Sequence, residues 1–176
     1  PSTIIVNILK ELKEIQFDKG TKDFQPTNLE VTRININNTA DNIIPATAEA
    51  TFNIRFNNKH SSNSLKKKLN KIFKKMTKKH KSKFKIEYRV SGEAFLTKPN
   101  KTTFMIQNII KKITKLKPKL STTGGTSDLR FIRTICPGLE FGLVGKTMHK
   151  VDEAVSLKDL KNLTKINYNI LQNYFN

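Results

Sequence analysis

The stretch ATAEATFNIRFNN, residues 46–58, decides the fold of the first half of the chain. Its apolar side chains occupy every second position, namely Ala48, Ala50, Phe52, Ile54 and Phe56. Successive side chains of a β-strand point to opposite faces of the sheet. The alternation therefore predicts a strand with one buried face, and it places Arg55 on the other face.

The segments around this strand predict two helices and two more strands. Apolar residues spaced i, i+3 and i+4 predict a helix over residues 3–16. A second helix is predicted from the N-cap candidates Ser61–Ser64 to about residue 80. LEVTRININ (29–37) and KFKIEYRVS (83–91) have the composition of strands. Residues 1–92 are thus predicted to form a two-layer α/β sandwich with an antiparallel component.

Residues 93–176 predict a second α/β unit. A helix over residues 101–116 stops before Pro118, and the turn STTGGTSD (121–128) leads to a short helix, LRFIRTI (129–135). A buried strand, LEFGLV (139–144), then precedes a terminal helix that Ser156 and Asp159 would cap. Strands alternating with helices are typical of a larger sheet, so we expect this unit to be part of one.

The charge of the chain is strongly positive, with a formal net charge of +19. Lys far outnumbers Arg, and Lys, Asn and Ile together are typical of an A+T-rich genome. The densest basic segment, LKKKLNKIFKKMTKKHKSK (65–83), lacks Arg and a series of interleaved aromatic residues for base stacking. We interpret it as a solvated helix face, which makes nucleic acid an unlikely partner, although phosphate binding by clustered Lys is the alternative.

Cysteine content and hydropathy bear on the compartment. The single cysteine, Cys136, excludes an internal disulfide and fits a reducing, cytoplasmic location, and we expect its thiol to be buried. No apolar run approaches the ~20 residues needed to span a bilayer, so no membrane association is expected. The first residues, PSTIIVNILKELKEI, lack an initiator Met and a signal pattern, and we expect further sequence upstream.

The segment GLVGKTMHKVDEA, residues 142–154, has two interpretations. GKT ends a phosphate-binding P-loop, but Glu140 stands where that loop requires glycine. The alternative is that His149 is the functional residue, because loops after strands of open α/β sheets bind ligands. Zinc needs three or four ligands, so the other ligands of such a site would lie outside these residues. His60 and His80 lie among Asn and Lys, and we expect them to be exposed and without function.

Two further places could bind an anion, namely the turn at Gly125 and Thr126 and the strand residue Arg55. Gly125 and Thr126, in TTGGTSDLRF (122–131), stand at a helix start that could hold an anion or could simply be a tight turn. Arg55 is one of few Arg in a Lys-rich chain, which suggests bidentate carboxylate recognition. Asn42 lies in a turn before a strand.

Five segments together resemble the C-terminal half of the succinyl-diaminopimelate desuccinylase family, within the di-zinc aminoacylase and exopeptidase superfamily. They are FDKGTKDFQPTNLEVTRINI (17–36), DNIIPATAEATFNIRF (41–56), VSGEAFLT (90–97), STTGGTSDLRFI (121–132) and EFGLVGKTMHKVDEAVSLKDL (140–160). The resemblance implies a lid, or dimerisation, domain over residues 1–92 and the C-terminal part of a catalytic domain over residues 93–176.

The activity implied by the resemblance is hydrolysis of N-succinyl-LL-2,6-diaminopimelate to succinate and diaminopimelate in lysine biosynthesis. It implies a homodimer formed through the lid, a substrate with several carboxylates, and two zinc ions per subunit, for which cobalt can substitute. The other metal ligands and the general base would lie upstream of residue 1, so we expect no catalytic base here and no activity from this chain alone.

The resemblance also implies roles for single residues. His149 matches the terminal metal ligand, and Arg55 matches the lid arginine that binds a substrate carboxylate. The remaining substrate-binding candidates are Gly125 and Thr126 in the substrate loop, Asn42 in a turn that reaches the neighbouring subunit, and Ser91 at the hinge. Leu129 and Gly145 depart from the family pattern, which has Gly and Asn at these positions.

Two other functions remain open at this point. The chain could derive from another deacylase or exopeptidase of the superfamily, such as one resembling acetylornithine deacetylase. From a different class, it could be a basic nucleic-acid-binding module.

Overall fold

The computed structural model describes residues 1–38, 40–123 and 128–176. The chain divides into two compact units, unit 1 from Pro1 to Phe95 and unit 2 from Leu96 to Asn176. This division falls three residues after the boundary expected from the sequence. Unit 1 contains helices and strands, and the described residues of unit 2 contain helices only.

Unit 1 contains two helices and one hairpin. Helix α1 spans Ser2–Lys13 and helix α2 spans Ser62–Lys79. The predicted cap of α2 is confirmed, because the Ser61 hydroxyl accepts from the Ser64 N–H and the Ser64 hydroxyl accepts from the Ser61 N–H. This reciprocal pair satisfies two backbone donors that a helix start otherwise leaves free. The lysines on the outer face of α2 are exposed, as expected for a solvated face.

Strands β1 (Asn28–Asn35) and β2 (Glu49–Arg55) pair antiparallel, with Leu29 opposite Ile54 and Asn28 opposite Arg55. The strand predicted from residues 46–58 is therefore confirmed, and Arg55 lies on its exposed face. The register is irregular between Val31 and Arg33. One extra residue, Thr32, stands between these pairs, so that Ile34 lies opposite Ala50, and Ile34 is 52% exposed near the end of the strand.

The core of unit 1 lies between the helices and the hairpin. Leu12 is fully buried at 0% exposure, and Leu69 of α2 is 2% exposed. The other buried members are Ile8, Leu9, Phe17, Leu29, Leu65 and Met76. Phe73 stacks between Phe52 of β2 and Phe84, with ring centroids 6.1 Å and 5.5 Å apart. One face of each element is thus buried in a single helix-on-sheet layer pair.

The strand predicted over residues 83–91 is wrong. Within the described residues the only ladder is β1–β2, and residues 83–91 carry no backbone pairing to it. The alternating side chains instead cover α2: Phe84 stacks on Phe73, and the Tyr88 hydroxyl donates to the Lys66 carbonyl at 3.4 Å. Apolar residues do alternate in this segment, but some of them pack against a helix, and that packing requires no third strand. The sandwich is accordingly reduced to a two-stranded sheet under two helices.

The loop after α1 makes a sharp turn at Gly20, which has a φ of +78°. A Cβ placed on Gly20 would lie 2.7 Å from the Phe24 carbonyl oxygen and 3.0 Å from the Pro26 nitrogen. Both are backbone atoms that cannot move aside without opening the loop. Only glycine meets the conformation and the space together.

Gly20→Ala should lower the free energy of unfolding by about 2–3 kcal/mol, because strain in the left-handed region adds to the backbone clash. Urea unfolding followed by circular dichroism measures it. Gly142→Ala is the matched control, because a Cβ there meets nothing within 4 Å, and we expect a change within about 0.5 kcal/mol. Equal losses in the two variants would contradict the strain account.

Unit 2 consists of helices α3 (Lys101–Thr114), α4 (Leu129–Ile132) and α5 (Leu157–Phe175) in the described residues. Asn100 caps α3 reciprocally with Thr103, and Lys115 ends that helix in the left-handed conformation at φ 63°. Helices α3 and α5 pack against each other, with Ile110 and Ile166 buried. The longest helices of the described chain lack the apolar length that crossing a membrane requires.

Three expectations for unit 2 are wrong. Residues 139–144 form no strand among the described residues, and Leu143 is 42% exposed, because no neighbouring strand is present there to pair with them. Ser156 occupies the N-cap position of α5, but its side chain makes no capping hydrogen bond, so the predicted capping box is absent. Cys136 is exposed rather than buried, in the turn after α4.

Candidate functional site

Arg55 is the last residue of β2 and lies on the face of the hairpin away from the core. Its neighbours Ile54 and Phe56 pack against the core, which fixes the opposite face for Arg55. Within the described residues no ion pair joins its guanidinium to a carboxylate. A strand end therefore presents a planar cation with five N–H donors to solvent, a group suited to binding a carboxylate in bidentate fashion.

A polar cluster lies directly beyond Arg55, and we call it the Asp18 node: Asp18, Gly20, Thr27, Asn57 and His60. The Asp18 carboxylate accepts hydrogen bonds from the Gly20 N–H at 2.6 Å, the Thr27 N–H at 3.2 Å and the Asn57 side-chain amide at 2.7 Å. His60 Nε2 lies 3.0 Å from Asp18 Oδ2, the oxygen that also accepts from the Thr27 N–H. Asn57 is 2% exposed. The node ties the loop after α1 to the connection between β2 and α2.

The Asp18 carboxylate is held ionised by this arrangement. Burial raises the pKa of Asp18, but hydrogen bonds from Thr27, the Gly20 N–H and the Asn57 amide outweigh it and leave the pKa well below its usual value. These donors bind the charged form more strongly than the protonated acid, so protonation would weaken the cluster.

The expectation that His60 and His80 are exposed is wrong. The His60 side chain is largely buried against Asp18, and Phe17 meets its ring edge-on at 6.5 Å between centroids. His80 lies 3.2 Å from Glu11, whose pKa is lowered by hydrogen bonds from Lys79 and then from His80. Both contacts join residues far apart in the chain, and local sequence carries no signal for them.

Asn42 lies in the connection that precedes β2, and Arg55 is the last residue of β2. Asn42 is exposed in the turn between the strands, next to the end where Asn35 pairs with Glu49. Arg55, at the other end of β2, is six residues after Glu49, which corresponds to roughly 20 Å along the strand. Ser91 is exposed in the segment that follows the Tyr88 contact.

His149 is exposed in a tight loop of unit 2, so it is not packed inside a hydrophobic interior. The loop is closed by Thr147, whose hydroxyl accepts from the Ala154 N–H and donates to the Ala154 carbonyl, both at 2.9 Å. The His149 backbone is left-handed at φ 62°, and its N–H donates to the Glu153 carboxylate at 3.3 Å. An unusual backbone held by surrounding contacts favours a functional over a merely connecting loop.

The donors of this loop suit a divalent transition metal. Imidazole nitrogen and carboxylate oxygen are both zinc ligands, and Asp152 and Glu153 follow His149 closely. Within the described residues no group of three or more His, Cys, Asp or Glu side chains comes together to form a complete site. The loop can therefore supply one ligand, with Glu153 fixing the backbone beside it, rather than a whole metal centre.

Two of the predicted substrate-binding residues, Gly125 and Thr126, lie outside the described residues. Leu129, which departs from the family pattern, is the first residue of α4. Gly145, the second departure, begins a turn in which the Met148 N–H donates to the Gly145 carbonyl at 3.3 Å. A separate groove of about 490 Å³ lies beside Cys136, and its lining does not include His149.

Residues 1–81 match the model of a peptidase dimerisation domain. The match covers α1, the hairpin and α2, which are the elements that hold Arg55 and the Asp18 node. The first part of the chain is thus similar to domains of this class.

The whole chain is similar to succinyl-diaminopimelate desuccinylases. The protein of that name from Pelagibacter ubique is 79% identical over 99% of this chain and 46% of its own length. Those from a Caulobacter species and from Rickettsia felis are 43% and 44% identical, over 99% and 97% of this chain and 45% of their own lengths. This chain thus spans slightly less than half of the curated relatives it matches. The resemblance inferred from the sequence motifs is confirmed.

Proposed function

We propose that this chain is part of a metal-dependent amidohydrolase that converts N-succinyl-LL-2,6-diaminopimelate to succinate and LL-2,6-diaminopimelate. The observation that carries the proposal is 79% identity, over nearly the whole chain, to a succinyl-diaminopimelate desuccinylase. Changes at about one residue in five, spread over a whole chain, leave little room for a different fold. The product would feed lysine and diaminopimelate biosynthesis.

His149 would hold one of two zinc ions, which cobalt can replace, through its ring nitrogen. When bound, the metals supply an activated water and polarise the amide carbonyl. Thr147 and Glu153 hold the loop in the shape that presents the ring, as their hydrogen bonds to Ala154 and to the His149 N–H indicate. The remaining ligands and the general base would come from a longer polypeptide, so this chain alone is expected to be inactive.

The substrate-binding residues would be those that match the family motifs. Arg55 would pair with a substrate carboxylate, and Gly125 and Thr126 would bind a second one through backbone and hydroxyl donors. Asn42, at the far end of the hairpin, would reach the site of a second subunit. That role fits a homodimer formed through the dimerisation domain. Ser91 would have the hinge role that the family resemblance implies.

Arg55→Ala in the full-length enzyme should raise KM for the succinyl substrate about 10–100-fold, the value of one charged hydrogen-bonded pair. Arg55→Lys should recover only part of the loss, because Lys keeps the charge without the bidentate fork. The matched control is Arg33→Ala, an exposed arginine of β1 in the same sheet, which should leave KM unchanged. Steady-state kinetics decides it, and equal KM values for the two alanine variants would refute the assignment.

The proposed function is tested by assaying the full-length protein against a pair of substrates. We expect hydrolysis of N-succinyl-LL-2,6-diaminopimelate that a chelator abolishes and zinc restores. N-Acetylornithine should be turned over at least about a hundredfold less efficiently, since a site built for several carboxylates loses paired groups with the smaller substrate. Preferred hydrolysis of N-acetylornithine would favour the related deacylase function instead.

A further inference from the structure

We propose that Asn57, held by the Asp18 node, is a positioning residue for Arg55. The inference rests on the proposed function, in which Arg55 binds a substrate carboxylate, and it adds how the chain aims that arginine. Asn57 touches no substrate in this account. It acts by fixing the backbone at the end of β2.

The geometry of the strand ends carries the inference. Arg55 pairs with Asn28 as the last pair of the ladder, so the strands beyond it would be free to fray. Thr27 lies directly outside that pair on one strand, and Asn57 lies two residues beyond Arg55 on the other. They are joined to each other, because the Asn57 N–H donates to the Thr27 hydroxyl at 3.4 Å. The ladder is thus closed by a side-chain contact where its backbone pairing stops.

Asn57 is in turn fixed from three sides. Its side-chain amide donates to Asp18 at 2.7 Å and to the Gln25 carbonyl at 3.1 Å. Its side-chain oxygen accepts from the Lys59 N–H at 2.9 Å. With 2% exposure, this amide is shielded from solvent, and its three hydrogen bonds hold the backbone two residues after Arg55.

Arg55 needs this support because its own side chain has none. It is exposed, and no ion pair with a described residue orients it. Bidentate recognition of a carboxylate depends on direction as well as charge, and such a group must be held to about 0.5 Å by the residues that support it. The Asp18 node lies beyond the last backbone pair of the ladder, on the side where the strands are not otherwise paired.

The test uses two substitutions in the full-length enzyme, assayed where circular dichroism shows each variant folded. Asn57→Ala removes the side-chain contacts to Asp18, Gln25 and Lys59. Thr27→Val removes one hydroxyl, which accepts from the Asn57 N–H and also hydrogen-bonds Asp18. Each should raise KM for the succinyl substrate about 5–20-fold while kcat changes less than about twofold. Thr27→Val, the milder change, decides the matter if Asn57→Ala does not fold.

A double-mutant cycle separates positioning from a general loss of structure. In an Arg55→Ala background neither substitution should raise KM further, because the group that they aim is gone. The proposal is overturned if KM rises by the same factor with and without Arg55, or if the variants lose stability while KM stays unchanged. A full-length protein that does not hydrolyse the succinyl substrate would overturn the proposed function itself, and it is recognised before any variant is made.

Discussion

Replacing His149 with alanine in the full-length protein should lower kcat/KM for the succinyl substrate by at least about a hundredfold and reduce bound zinc. The ring is the only histidine in unit 2, and its loop is fixed by Thr147 and Glu153. Removing the imidazole leaves that loop intact, so the loss should come from the metal and not from unfolding. Activity and zinc content are measured on the same preparation.

His80→Gln is the matched control for this prediction. His80 follows α2 in unit 1, where it contacts Glu11, and it has no part in the proposed site. We expect activity and zinc content within about twofold of the unaltered enzyme, since such a contact at a helix end contributes only modestly to stability. Retained zinc and activity in His149→Ala would contradict the metal assignment.

Asp18→Ala should cost about 3–5 kcal/mol of unfolding free energy, the largest effect expected in unit 1. The substitution leaves the Gly20 and Thr27 N–H groups and the Asn57 amide without their acceptor, in a region shielded from water. Each buried donor left unsatisfied costs about 1–3 kcal/mol. Urea unfolding followed by circular dichroism measures the sum.

Asp18→Asn tests whether charge matters beyond shape. The amide keeps the size of the carboxyl group but turns an NH₂ group toward donors, so we expect most of the destabilisation to remain. Asp41→Ala, at an exposed position of the turn between the strands, should change stability by less than about 0.5 kcal/mol. A loss below about 1 kcal/mol in Asp18→Ala would show that the Asp18 node is not the anchor of unit 1.

The same carboxylate gives unit 1 a defined pH dependence. Because the folded pKa of Asp18 lies below the ordinary value of 3.8, its contribution to stability is present above that pH and is lost as the pH falls further. Between about pH 4 and pH 2, stability should therefore fall more steeply with pH in the unaltered chain than in Asp18→Asn. Parallel curves would contradict the ionised state.

The sequence predicted those parts of the fold that depend on local pattern. Alternation in residues 46–58 placed Arg55 on the exposed face, and serine spacing located the start of α2. Local sequence pattern gave wrong predictions where strand formation depends on a neighbouring strand. Residues 83–91 and 139–144 have the composition of strands, yet the described chain offers no adjacent strand to pair with them.

The candidate site likewise contains residues that local motifs indicate and residues that only the fold brings together. Motifs within a few residues of one another identified the His149 loop and the Arg55 strand. The Asp18 node could not be predicted, since Asp18, Asn57 and His60 are separated by up to 42 residues and each is common in loops. Only the fold brings them together, and a free aspartate, asparagine or histidine in a polar segment normally indicates nothing more than exposure.

The most direct test of the account is a crystal structure of the full-length protein grown with zinc, with anomalous scattering recorded at the zinc absorption edge. We expect an anomalous peak with a His149 ring nitrogen about 2.0–2.1 Å away, completed by ligands from the rest of the polypeptide. Fully occupied zinc peaks with the His149 ring outside coordination distance would contradict it.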